Sequence, residues 1–153
     1  MASAALDRAL AVNPNAAHAW LIRGHIHALR NQPEAAIDAT ERARRLSPFD
    51  PMAFFYAGNI ALAHLAARRF EQAIQWADCT LHERPRLVAA MRVKVVALAH
   101  LGHLDAARAE LSRVLAIDPK LTIAGFRYYA HYDAPEVLEL FVTGLRLAGL
   151  PEN

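Results

Sequence analysis

The sequence predicts an all-α fold, a right-handed solenoid of antiparallel helix pairs with about three repeats and a helical cap at the C-terminal side. Three observations carry this. Prolines recur at Pro14, Pro48, Pro85 and Pro119, with gaps of 34, 37 and 34 residues. An alanine stands twelve residues before each of them, at Ala2, Ala36, Ala73 and Ala107. Between these marks the apolar residues follow helical rather than alternating spacing. A period of this length is that of a helix–turn–helix unit, which cannot bury its apolar face alone and stacks on its neighbours.

The elements follow in order. Ala2 to Val12 reads as one helix, ended by Asn13-Pro14 because a residue before proline is pushed out of the α region. In the repeat frame it is a second helix without its first, so the chain reads as beginning in mid-repeat. The whole of residues 1–153 is taken as one domain, with residues 2–13 as this orphan helix and residues 17–50 as the first full repeat. There Trp20 and Gly24 share a face four residues apart. The glycine admits a close partner helix and the indole fills the space between repeats. Asn31-Gln32-Pro33-Glu34 is a turn and helix start, with Asn31 or Gln32 near the cap and Pro33 in the first turn. Ala36 and Ala43 fall where two helices cross, a place with no room for a larger side chain. Three extra residues at 51–53 account for the gap of 37.

The second repeat spans residues 54–87, with Ala61 in place of the glycine and with Ala73, Ile74 and Ala77 along its second helix. The third spans 88–121 and carries Met91, Leu98, Gly102, Ala107, Leu111 and Leu115. Capping helices are expected over 122–150. The first runs from Leu121 to Ala130 and is rich in aromatics (Phe126, Tyr128, Tyr129). Asp133-Ala-Pro135-Glu136 reads as a capping box, and the last helix runs to Ala148 and stops at Gly149. The segment is expected to cover the last apolar face of the solenoid. Leu6 and Leu10 are expected to lie exposed on the first helix and to invite a second copy of the chain, giving a homodimer through the N-terminal end.

Composition excludes several functions. Apolar residues make up 55% of the chain and charged residues 21%, enough for a continuous core, and the net charge is only +2. The longest basic cluster, Arg42, Arg44 and Arg45, suits a helix C-terminus better than nucleic acid or a phosphate. A single Cys79 rules out an internal disulfide and fits a reducing, cytoplasmic setting. No signal-like opening or long apolar run suggests a membrane. Among eight histidines, His25 and His27 point apart, and His18 and His25 lie too far apart along a helix to share a metal; His100, His103 and Asp105 are too few for a zinc site. No nucleophile–base pair or phosphate loop is present. No catalysis, cofactor or metal is expected of this chain, with a small-ligand sensor or an enzyme as the distant alternative.

Trp20, Gly24, Ala36, Pro48, Ala73, Pro85, Gly102, Ala107 and Pro119 together resemble the tetratricopeptide repeat family over about residues 2–132. The pattern departs at Arg23 and Lys94, where leucine is usual, and at Ala57 and Met91, which stand where Trp20 stands in the first repeat. A narrower resemblance rests on Arg45-Leu-Ser-Pro-Phe-Asp-Pro51, Leu115-Ala-Ile-Asp-Pro119 and Gly144-Leu-Arg-Leu-Ala-Gly-Leu-Pro-Glu152. It is similar to the C-terminal repeat region of bacterial signalling proteins carrying a class III adenylate or guanylate cyclase domain or a winged-helix domain. That resemblance implies a regulatory tail, or an oligomerisation module, attached to an output domain whose own motifs are absent here.

In this architecture the first helix of each repeat lines the concave groove. Helical spacing puts His18, Leu21 and His25 there from the first repeat, and Phe55, Gly58, Leu62 and Leu65 from the second. Ala89, Arg92, Val96 and His100 follow from the third, and Ile123 and Phe126 from the last unit. The stripe is mostly apolar and lacks the lysine and asparagine set with which chaperone-binding relatives hold a terminal carboxylate. The expected partner is an apolar or amphipathic protein or peptide segment. The competing reading, core packing between repeats, applies most to Leu21, Phe55, Leu62 and Arg92.

Overall fold

The computed structural model describes residues 2–153, without the side chains of Ala2 and Ser3, so the side chain of the first alanine of the beat lies outside what is described. Among them the chain is helical throughout, with no strand. In order the helices are α1 (Ala2–Val12), α2 (Ala17–Leu29), α3 (Pro33–Leu46), α4 (Phe54–Ala66), α5 (Phe70–Glu83), α6 (Val88–His100), α7 (Leu104–Ile117), α8 (Ile123–Tyr129) and α9 (Pro135–Leu147). Helices α2 with α3, α4 with α5, and α6 with α7 form packed pairs, and each pair stacks on the next, so the solenoid of helix pairs read from the sequence is what the chain forms.

The three turns within pairs are built alike. Asn31, Arg68 and Gly102 each take a positive φ, of 57°, 59° and 79°. In each the next amide reaches back to the helix it leaves, from Gln32 to His27, from Arg69 to His64 and from His103 to Leu98, with distances of 2.9 Å. This is a Schellman ending, which uses a left-handed residue to satisfy the last helical carbonyls. Only one of the three is glycine, so the turn repeats as geometry more faithfully than as sequence. Ala36, Ala73 and Ala107 are buried at the first turn of each second helix, where a longer side chain would hold the pair apart. Gln32 is the residue before α3, and it makes no side-chain capping bond, leaving Pro33 at the first position to start the helix.

Helix α1 packs on α2. Leu10 is only 7% exposed and Leu6 is half-buried, so the two leucines expected to invite a second copy are already covered within the chain. The Trp20 indole N–H donates to the Pro14 carbonyl at 2.8 Å, while Arg42 stacks over its ring at 4.2 Å from the centroid. The indole thus ties the segment that follows α1 to α2 and α3.

The C-terminal segment departs furthest from expectation. Thr122 caps α8, its hydroxyl accepting from the Gly125 amide at 3.0 Å, so the helix begins at Ile123 rather than Leu121. The tail folds back on the same end. The amides of Ile123 and Ala124 donate to the carbonyls of Pro151 and Glu152 at 2.9 and 3.0 Å. Asp133 and Glu136 form no capping box. Pro135 occupies the first helical position, which makes Ala134 the residue before the helix and puts Asp133 one place too early to cap. Instead of extending the stack at α7, α9 lies along α6.

Candidate functional site

The contact between α9 and α6 decides what remains of the concave face. A Cβ on Gly144 would fall 2.9 Å from the Val96 Cα, so the two helices touch backbone to backbone at this point. One turn further along, the His100 imidazole donates from Nε2 to the Leu140 carbonyl at 2.9 Å and stacks on Phe70 at 5.1 Å. The concave side of the third repeat is therefore filled by the chain's own last helix.

Before reaching α6, the segment between α8 and α9 crosses to the first repeat. The Ala134 amide donates to the Leu29 carbonyl at 3.1 Å. Arg30 pairs with Asp133 at 2.8 Å, and the Asn31 amide donates to Glu136 at 3.0 Å. The two carboxylates expected to cap a helix instead hold this arm against the α2–α3 turn. The Glu136 carboxyl is held below the usual carboxylate range, first by its own backbone N–H at the start of α9 and then by the Asn31 amide. A carboxyl with a depressed folded value contributes stability at neutral pH, and that contribution is lost as the pH falls through the folded value. Acidification below the ordinary glutamate range should therefore loosen the arm before the repeats unfold. Amide exchange checks this: protection at Ala134 should drop while amides of α4 and α6 stay protected. Unchanged relative protection down to global acid unfolding would contradict it.

Between the arm and helices α2, α4 and α6 lies a half-open cavity of about 580 Å³. His18, Leu21 and His25 line it from α2, and Phe55, Gly58 and Leu62 from α4. Ala89 and Arg92 contribute from α6, and Phe126 from α8. Leu65 and Val96 do not: both are 0% exposed. Val96 points to the concave side as helical spacing requires, but Gly144 seats α9 directly on it. Leu65 belongs to the continuous core. His100 and Ile123, from the wider stripe, are likewise outside the cavity, His100 because Leu140 and Phe70 occupy it and Ile123 because it is buried.

Several lining residues escaped sequence reasoning. Asn59 is buried in the cavity floor, where its amide N–H donates to the Leu21 carbonyl at 2.9 Å and its oxygen accepts from Nδ1 of His25 at 3.0 Å. It locks α4 to α2, and a lone amide inside the apolar run of α4 was the available signal. Tyr129 enters from the end of α8, His131 and Tyr132 from the arm, and Phe141 from α9. Burial pushes the Tyr132 phenol up to about 12, although nearby Arg92 pulls the other way, so its hydroxyl stays neutral at any physiological pH. Arg92 lies over the rings of Phe126 and Tyr129, at 5.4 and 5.9 Å from their centroids, and one guanidinium N–H donates to the Tyr129 hydroxyl at 3.0 Å. At the rim, Ile22, Met52 and Phe55 keep more than a third of their surface in solvent.

Other candidates stand apart from the cavity. Cys79 is exposed on α5. Among the described residues no three His, Cys, Asp or Glu side chains gather within reach of one metal ion, and no helix is long and apolar enough to cross a membrane.

Stacked helix pairs around a concave, apolar site define a repeat scaffold of the kind that binds other molecules along its inner face. The chain belongs to the tetratricopeptide repeat family, whose model matches residues 2–51 and 59–121. Among characterised proteins it is similar to the human FK506-binding protein-like, 37% identical over 93 residues, or 58% of this chain and 27% of that protein. The rat FK506-binding protein-like is 36% identical over the same length, again 58% of this chain and 27% of the relative. The chain thus matches about a quarter of the length of these relatives.

Proposed function

We propose that this chain is a non-catalytic protein-binding scaffold whose partner offers apolar side chains to the cavity between α2, α4, α6 and the arm. One observation carries this reading: an apolar cavity opens onto a rim where Ile22, Met52 and Phe55 stay partly exposed without a covering element. Partly exposed apolar side chains around a cavity mark an interaction site more than scattered ones do. The size of the cavity limits the mode of binding. One turn of helix with its side chains fills roughly 420–610 Å³, from a diameter of about 10–12 Å and a pitch of about 5.4 Å. With the arm in place a cavity of about 580 Å³ therefore takes about one helical turn at most, and the rest of a longer partner stays at the rim.

Selection from a displayed library of short peptides tests this. The enriched sequences should carry two or three closely spaced apolar residues. Phe55→Asp, a change at the rim that leaves the core intact, should weaken their binding about tenfold or more, in the range of a lost interface anchor. Equal binding by the folded variant would overturn rim recognition.

The setting we propose is that of a cytoplasmic regulatory tail in a larger bacterial signalling protein. It is supported by the resemblance of Arg45–Pro51, Leu115–Pro119 and Gly144–Glu152 to the repeat regions of cyclase-linked proteins. Partner binding would there bias the attached output domain. The coding sequence upstream decides this: a cyclase or winged-helix domain supports it, whereas an FK506-binding type of domain, as the name of the mammalian relatives suggests, would overturn it.

A further inference from the structure

Arg92 lies in the cavity without an anionic partner. Among the described residues no Asp or Glu lines the cavity and Arg92 makes no ion pair. Its guanidinium is fixed by two aromatic rings and by the Tyr129 hydroxyl, which accepts from Nη1. An arginine presents five N–H donors in a planar fork suited to a carboxylate. The remaining walls constrain what such a carboxylate can be attached to. A peptide main chain inside the cavity would bring an N–H and a C=O with every residue, and buried backbone groups must find partners. The walls offer few. Asn59 is committed to His25 and to the Leu21 carbonyl, and the Tyr129 hydroxyl to Arg92, which leaves His18, His131 and Tyr132 as the other polar side chains of the lining. A hydrocarbon body has no such requirement.

We propose that the cavity is a binding site for a small amphipathic carboxylate, an alkyl or aryl chain lying against Leu21, Leu62, Val93 and Phe141 with its head on Arg92. The volume of about 580 Å³ falls in the range of about 300–1,000 Å³ common for sites that enclose a small molecule. This goes beyond segment recognition: the two occupants draw on the same volume, so a bound small molecule would confine a partner's side chains to the rim. Its carboxylate forms charge-assisted hydrogen bonds with the fork, and its chain displaces water from apolar walls. The site would make the scaffold responsive to a metabolite of that chemistry.

The test uses the whole chain and sodium decanoate below its micelle concentration, read by displacement of the neutral dye N-phenylnaphthylamine. Decanoate should displace the dye at about tenfold lower concentration than decanol or decylammonium, the scale of a charge-assisted contact. In Arg92→Met that preference should vanish while decanol displacement stays the same. Equal displacement by all three amphiphiles, or a preference that survives Arg92→Met, overturns the proposal. Should Arg92→Met lose its helical signal, wild-type amide shifts decide. Decanoate should move Val93 and Phe126 and leave α7 unmoved, and the reverse pattern overturns it. A peptide whose free C-terminal carboxylate competes as well as decanoate, while its amidated form does not, would assign Arg92 to a chain terminus instead. If decanoate fails but peptides sensitive to Phe55→Asp still bind, the scaffold reading stands and only the small-molecule site is lost.

Discussion

Gly144→Ala should destabilise this protein, although alanine is the better helix former by about 1 kcal/mol in open surroundings. The reason is the contact between α9 and α6. The added methyl group would fall 2.7 Å from Cγ1 of Val96, 2.9 Å from its Cα and 3.0 Å from its Cβ. The side-chain atoms can turn aside, but the Cα cannot move without shifting α6. Overpacking of this kind costs about 1–3 kcal/mol, and a bulkier Gly144→Val should cost more. For a domain of this size a loss of about 2 kcal/mol lowers the melting temperature by roughly 4–8 °C. The damage should be local at first, with amides of α9 losing exchange protection before those of α2 and α4. Dye binding in the cavity should fall too, because α9 carries Phe141 into its wall. An unchanged or raised melting temperature for Gly144→Ala would show that the two helices do not meet as described.

The second large effect is expected at Gly24, where α2 crosses α3. A Cβ there would collide with the Thr40 hydroxyl and come within 3.0 Å of the Ala36 carbonyl oxygen and 3.2 Å of the Thr40 amide. Thr40 is fully buried, and its hydroxyl has no hydrogen-bond partner among the described residues. These facts make a double-mutant cycle informative. Gly24→Ala alone should cost about 1–3 kcal/mol by overpacking. Thr40→Ala alone should cost less than an ordinary buried truncation, because it also removes an unsatisfied polar group. Together they should recover about 1 kcal/mol relative to the sum of the two, the coupling expected of residues in direct contact. Recovery should stay incomplete, since the Ala36 carbonyl remains in the way. Strict additivity in thermal unfolding would rule out the predicted contact.

Much of this architecture was legible in the sequence for a local reason. Whether a segment of a dozen residues is helical, which face is apolar and where a small residue must sit all depend on neighbours a few positions away. Hence Gly24, Ala36 and Ala43 marked close helix approaches in the sequence itself, and Ala73 and Ala107 kept the repeat register. The groove was legible only in part. Helical spacing put His18, Leu21, His25, Phe55, Leu62 and Arg92 on one side, because direction around a helix is a local property, and these six line the cavity. It could not say whether that side stays open. Val96 shares the stripe with Arg92, yet one is sealed under Gly144 and the other lines a cavity.

What the sequence by itself determined is the repeat: its register, its helix pairs and the inward face of each. What only the tertiary structure decided is the path of the C-terminal arm. Arg30 and Asp133 meet across 103 residues, and Asn31 and Glu136 across 105. Asp133 and Glu136 have a spacing that suits a helix cap just as well, so no local pattern distinguishes the two uses. The choice was made by packing, once Gly144 allowed α9 to lie on α6 and brought those carboxylates within reach of the first repeat. That same choice turned an open groove into a roofed cavity with an arginine inside it.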